Sequence, residues 1–222
     1  MFPLRDTQPS YTKPVVTIVL IAINVFVFLF ELSLDDWTRN AFVATYGLVP
    51  DHFAASSLIT STFLHGGWMH LLGNMWFLWI FGDNVEDILG HGKYVLFYLA
   101  CGAAAGLTQS VLTTDPRVPM VGASGAIAGV MGAYMVKFPH ARIVTLIPIL
   151  LFFTIDIPAW IMLIYWFVTQ FFNGVGSIAY SHVSEGGGVA FFAHVGGFIM
   201  GAILISVMGT QQRYTRRRDL YW

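Results

Sequence analysis

Apolar residues in this chain gather into stretches of sixteen to twenty residues, at 14–31, 68–83, 94–112, 124–139, 157–173 and 189–208. Segments that are apolar on every side are either wrapped by protein or surrounded by lipid. A hydrocarbon core about 30 Å thick takes about 20 mostly apolar residues per helix, so the pattern predicts six membrane-spanning helices. The first stretch, "PVVTIVLIAINVFVFLF", has no small-residue cleavage site and is followed by "ELSLDDW", so it is read as a retained span and not a signal peptide.

The fifth region exceeds one span. Pro148, Asp156 and Pro158 interrupt it, and prolines mark helix boundaries. Arg142–Asp156 is therefore expected to form an interfacial or re-entrant connection before the helix, with a seven-span count as the alternative. The connection Leu32–Leu64 carries Trp37, Phe42, Tyr46, Phe53 and Phe63, too aromatic for a plain linker, and is expected to lie outside and partly in the interface. No internal repeat, low-complexity segment or soluble domain is visible. The expectation is an all-α membrane protein, a compact six-transmembrane-helix bundle forming a single domain over residues 1–222.

Composition agrees with this setting. Of 222 residues, 56% are hydrophobic and 10% charged, against roughly 25% charged in soluble domains. A net charge of −1 excludes a nucleic-acid partner, which would require a basic surface. The partner is expected to be lipid or a molecule within it. A single cysteine, Cys101, cannot form an intramolecular disulfide. With six spans and both termini in the cytoplasm, the inner side holds Arg5, Lys13, Lys93, Lys137, Arg142, Arg213, Arg216, Arg217 and Arg218. Only Arg39 and Arg117 fall outside, so nine of the eleven Lys and Arg obey the positive-inside rule. This pattern, with no targeting extension visible, suggests a prokaryotic plasma (inner) membrane.

Polar side chains at membrane depth are costly, which makes those present functional candidates. Three stations stand out: "LHGGWMHLLGNM" opening the second span, "GASGA" opening the fourth and "AHVGG" early in the sixth. These spans all run from outside to inside, so their first turns share a depth. Ser124 begins span four and His194 lies near the start of span six. His70 and Asn74, four residues apart, share one face of span two.

A serine hydroxyl beside a neutral imidazole is a nucleophile with a general base, and the imidazole can return the proton to a leaving amine. Charge developing on a carbonyl oxygen needs preorganised donors. The Asn74 amide, the His70 N–H and the Ser124 backbone N–H at a helix start are of the right type. No carboxylate is placed in the sequence to orient His194, so the expectation is a Ser-His dyad. Small residues four apart let membrane helices approach closely. Ser124, Ala128 and Gly132 form such a ridge on span four, and Gly197 and Gly201 form one on span six. Taken alone, a serine beside glycine is more often a packing residue, a lone intramembrane histidine is more often a satisfied core residue or part of a proton path, and His70 with Asn74 also reads as interhelical glue; the joint pattern carries the inference. A metal site from His65, His70 and His194 is disfavoured, because no H-E-x-x-H spacing occurs and His182 and Glu185 look solvated.

At these residues the sequence resembles the rhomboid family of intramembrane serine proteases. The likeness rests on "HGGWMHLLGNM" followed by "FGDNVED", then "GASGAIAG", then "AHVGGFIMG". It implies a rhomboid-like bundle with Ser124 as nucleophile, His194 as base, and oxyanion contacts from His70 and Asn74. It further implies close span-four to span-six packing at Gly201, with Gly122, Gly125 and Gly197 in the same motifs. Glu86 matches an acidic position that stabilises the bundle in this family, although read by itself it is equally a solvated helix-end charge. Substrates would be single transmembrane segments cut near their outer ends after small residues, without a cofactor.

A regular helix shields its peptide bonds, so such a protease must first extend its client. Water would reach the dyad past "HGGWMH" and the Gly186-Gly187-Gly188 loop. Span five, with Trp160, Tyr165, Trp166, Phe167, Phe171 and Phe172, is either a movable wall for substrate or an ordinary lipid-facing helix.

Two features depart from the family pattern. Many members carry an aromatic four residues after the nucleophile, where this chain has Ala128. Many carry Trp-Arg in the first outer loop, where this chain has "AASSLITS". The rival readings are a client-binding rhomboid-like protein without activity, disfavoured by intact Ser124 and His194, and a small channel or transporter, disfavoured by the lack of repeated halves.

Overall fold

The computed structural model describes residues 2–147, 153–179 and 190–211. Pro148, His182, Glu185, Gly186, Gly187, Gly188, Arg213, Arg216, Arg217 and Arg218 lie outside the described residues. In chain order the elements are β1 (Phe2–Asp6), α1 (Val15–Ser33), α2 (Asp36–Tyr46), α3 (Ser57–Thr60), α4 (Trp68–Leu89), α5 (His91–Leu112), α6 (Ser124–Lys137), β2 (Arg142–Ile147), β3 (Phe153–Pro158), α7 (Ala159–Ala179) and α8 (Phe191–Val207). The fold is mostly helical, and each apolar stretch falls on a helix of 14 to 22 residues. Among the described residues α1, α5 and α7 are long and apolar enough to cross a membrane, and α8 is a shorter apolar helix. α4 carries His70, Asn74, Asp83, Asn84, Glu86 and Asp87, and α6 has only 14 residues.

α6 is the hub. It packs against α4, α5, α7 and α8, and every residue from Gly125 to Tyr134 is buried. Around it lie the fully buried rings of Phe81, Tyr94, Phe97, Tyr98 and Tyr134. The outer helices turn the opposite way, with Phe26 71%, Leu96 66% and Phe172 66% exposed. Apolar exposure on that scale suits hydrocarbon and not water.

The expectation of an all-α chain is corrected. β1, β2 and β3 form a three-stranded antiparallel sheet in that order, with β2 in the centre. The connection at Arg142–Asp156, expected to be interfacial or re-entrant, carries the paired strands β2 and β3. Their β-branched content, "RIVTLI" and "FTIDIP", suits a pleated surface. Pro3, which cannot donate to a ladder, sits on edge strand β1 beside a register shift.

The N-terminal segment is tied to α4. The start of α1 has no side-chain cap of its own. Instead the buried Glu86 carboxylate accepts the N–H groups of Val16 and Thr17 at 2.9 and 2.8 Å and the Thr17 hydroxyl at 2.7 Å. The same carboxylate meets the His91 ring at 2.5 Å. Asp87 accepts the Tyr11 N–H at 2.8 Å and also the Thr12 hydroxyl. Trp76 Nε1 donates to the Pro3 carbonyl, and the Tyr134 hydroxyl donates to Asp6. Gln211 N–H bonds to the Ile88 carbonyl, so the end of α8 reaches the α4–α5 turn at this same face.

At the opposite end, the aromatic connection between α1 and α4 is structured. Asp35 caps α2 by accepting from Thr38, and the Phe42 ring packs between Phe30 and Tyr46.

Candidate active site

Ser124 is the first residue of α6, after Ala123. The opening N–H groups of a helix have no intrahelical acceptor, and the positive end of the helix dipole adds to them. The chain arriving at Ser124 is pinned on both sides. Leu48 and Met120 exchange backbone hydrogen bonds at 3.0 and 2.9 Å, and Gly122 N–H donates to the Ser61 carbonyl at 2.9 Å. Gly122 has φ +125°, and a Cβ there would lie 2.6 Å from His70 Nε2 and 3.7 Å from Asn74 Nδ2. Only glycine fits both the backbone angle and the space. Its bareness lets the His70 ring and the Asn74 amide close onto the segment that delivers Ser124.

His70 and Asn74 occupy the first two turns of α4. Asn74 Nδ2 donates to His65 Nε2 at 2.9 Å, and the backbone N–H of His65 donates to the buried Glu31 carboxylate at 3.3 Å. The His65 and His70 rings meet edge to face at 5.1 Å. His65 thereby orients the Asn74 amide and takes one of its two hydrogens, the other having no acceptor among the described residues.

His194 is buried in the first turn of α8. Its neighbour Ala193 donates its N–H to Gln109 Oε1 of α5 at 3.0 Å. His194 Nδ1 lies 2.7 Å from Gln170 Oε1 of α7, and the Trp166 ring lies against the imidazole at 5.6 Å, tilted by 37°.

Backbone closeness between α6 and α8 brings the two ends together. A Cβ at Gly197 would lie 2.0 Å from the Gly125 carbonyl oxygen, at Gly201 1.9 Å from that of Gly129, and at Gly132 2.1 Å from that of Phe198. The ridge on α6 that meets α8 is thus Gly125, Gly129 and Gly132. The expected ridge of Ser124, Ala128 and Gly132 is offset by one residue at its first two positions, which frees Ser124 from helix packing. At the Ser124 level the helices stay close, since a Cβ at Gly125 would lie 3.6 Å from the Ala193 carbonyl oxygen. Among the described residues no hydrogen bond within 3.5 Å joins Ser124 to His194. Ser124 lines a cavity of about 30 Å³ together with Ser61, Thr62, Gln109, Gly122 and Ala193. That is room for water, which needs about 10–15 Å³ and polar partners.

The rhomboid-domain family model matches residues 52–211, which includes His65, His70, Asn74, Gln109, Ser124, Trp166, Gln170 and His194. The chain belongs to the rhomboid family. This rhomboid is 32% identical over 193 residues to "Rhomboid protein 1, mitochondrial" of Saccharomyces cerevisiae, covering 83% of this chain and 50% of the yeast protein. It is 34% identical over 128 residues to "Rhomboid protease GluP" of Bacillus subtilis, covering 55% of this chain and 24% of that protein. It is 34% identical over 90 residues to "Presenilin-associated rhomboid-like protein, mitochondrial" of Homo sapiens, covering 40% and 24%. The chain thus spans half the length of the yeast relative and about a quarter of the other two. The mitochondrial names run against the expected prokaryotic plasma membrane. Membership of this family, with the apolar helices, identifies an integral membrane protein.

Sequence reasoning missed Gln170, Gln109 and the β-sheet. It listed Trp166 only as a possible wall of span five. Gln170, a lone amide within "YWFVTQFF", was a signal that intramembrane polarity offered and that went unused.

Proposed function

We propose that the chain is an intramembrane serine endopeptidase that hydrolyses peptide bonds in or near the transmembrane segments of membrane proteins. Ser124 Oγ attacks the scissile carbonyl while His194 Nε2 takes its proton and passes it to the leaving amine. Water then attacks the acyl carbon while giving a proton to the same imidazole, which passes it to Ser124 Oγ as the ester bond breaks and the new carboxyl terminus leaves. Asn74 Nδ2, the His70 ring N–H and the Ser124 backbone N–H hold the oxyanion. This chemistry needs no metal or cofactor.

The observation that carries the reading is the convergence at one end of α6. Ser124 opens the helix, Gly122 admits His70 and Asn74 beside it, and α8 approaches through Gly125 with His194 in its first turn. The proposed topology has six spans in one domain over residues 1–222, with both termini in the cytoplasm. It is supported by the β-sheet, the α4–α5 turn and the end of α8 gathering at one face. The bacterial relative supports a prokaryotic plasma membrane, and the mitochondrial relatives oppose it. At 1.5 Å per residue α6 is about 21 Å long, against about 30 Å of hydrocarbon. If its far end lies at the inner face, Ser124 sits roughly 9 Å below the outer one. Clients would be cut near their outer ends, where a helix loosened by glycine or small residues is cheapest to extend.

One observation favours a second reading, a rhomboid that binds membrane clients without cutting them: among the described residues no hydrogen bond joins Ser124 to His194. The test is co-reconstitution in liposomes with a tagged single-span protein carrying glycine and small residues in its outer membrane half. Two fragments from the intact chain, with none from Ser124→Ala or His194→Ala, support the protease. Stable co-purification of uncut client under the same conditions supports the binding protein.

A further inference from the structure

We propose that Gln170 is the positioning residue for the general base, its amide oxygen accepting the Nδ1–H of His194 and so leaving the Nε2 lone pair free for the Ser124 proton. This rests on the protease reading above.

A neutral imidazole carries one N–H, and the hydrogen bond made by one nitrogen fixes what the other can do. Facing an amide oxygen at 2.7 Å, Nδ1 is the donor and Nε2 the acceptor. The opposite tautomer presents Nε2–H to the serine and cannot take its proton. Where a serine hydrolase has a carboxylate behind its histidine, that group performs this task. Gln170 supplies the acceptor without the charge, which suits a site surrounded by apolar helices.

The placement of Gln170 is informative. It interrupts the run Tyr165–Phe172 of otherwise mostly apolar residues, where an amide is unfavourable in hydrocarbon without a partner. Its partner is His194. Trp166 lies one turn earlier on the same face of α7, and its ring packs on the same imidazole. One edge and one face of the base are therefore held from α7, while Ala128 on α6 offers no ring at all. It follows that the base is in order only while α7 is packed against α8. Displacement of α7, as for admission of a client, releases both contacts together.

The experiment combines two readouts on the whole chain in detergent, for the wild type, Gln170→Leu and Gln170→Glu. The first is the rate of Ser124 modification by a fluorophosphonate probe, with thermal unfolding recorded alongside. The second is the ¹⁵N spectrum of the histidine rings, with His194→Ala to assign the signal; it reports the tautomer without reference to activity. The expected result is a His194 ring protonated at Nδ1 in the wild type. Gln170→Leu is expected to lose that bias and to react at least about tenfold more slowly. Gln170→Glu, which keeps an acceptor, regains most of the rate.

A wild-type ring protonated at Nε2, or Gln170→Leu reacting at the wild-type rate, overturns the proposal. If Nδ1 protonation depends on Gln170 but the wild type does not react at Ser124, the contact is upheld and it is the protease reading that fails. The wild-type spectrum decides the tautomer even if Gln170→Leu does not fold.

Discussion

The Asn74 amide has two hydrogens, and His65 takes one of them. In the proposed mechanism the other meets the oxyanion, from an amide oriented by the buried His65 ring, whose backbone N–H is tied to the Glu31 carboxylate. Asn74→Ala is expected to lower kcat about 10²–10³-fold with little change in KM, the behaviour of a donor used mainly in the transition state; kinetics on the reconstituted single-span client measure both. Gly122→Ala forces a side chain onto a φ of +125° and against the His70 ring at 2.6 Å. Its expected signature is loss of turnover out of proportion to loss of thermal stability, read by running both assays on one preparation. At this scale the sequence was informative where polarity and helix starts coincide: Ser124, His194, His70 and Asn74 are polar and lie near the starts of α6, α8 and α4. It was uninformative about Gln170, Gln109 and His65, because what they touch depends on how α7, α5 and the segment before α4 rotate against their neighbours.

Two contacts between elements lend themselves to measurement. Gly201→Ala would place a methyl 1.9 Å from the Gly129 carbonyl oxygen, a backbone atom that cannot rotate aside. Destabilisation of about 1–3 kcal/mol or more is expected, visible as a lowered unfolding temperature. Gly92→Ala, at a position with open space around the would-be Cβ, should be neutral or slightly stabilising. Glu86→Ala removes the borrowed cap of α1 and leaves the Val16 and Thr17 N–H groups without it. A loss of about 1.5–3 kcal/mol is expected, with hydrogen exchange rising first in the opening turn of α1. The long helices were legible because an apolar stretch of membrane length has few alternatives. The β-sheet was not, since a short apolar run with prolines reads equally as an interfacial segment. Its pairing with Phe2–Asp6 is also set by a partner more than a hundred residues away.

For the whole molecule, the face holding the β-sheet responds to acidity. Asp6 is pushed up to about 6, mainly by burial, with the neighbouring Asp83 carboxylate adding to this and the Tyr134 hydroxyl opposing it. A carboxyl whose folded value exceeds its ordinary value of 3.8 contributes stability below that value and loses it as pH rises through about 6. Unfolding temperature is therefore expected to fall between about pH 4 and 7, and Asp6→Asn should flatten that slope. The task proposed for the site at the other end is separate, to activate a serine below the membrane surface, and that proposal is the central claim. It is tested most directly by treating the purified protein with a fluorophosphonate and mapping the adduct by peptide mass spectrometry. The account predicts a single adduct on Ser124, absent from Ser124→Ala and lost in His194→Ala while both variants remain folded. A folded, water-accessible wild type with no adduct on Ser124, or His194→Ala modified as fast as the wild type, would contradict it.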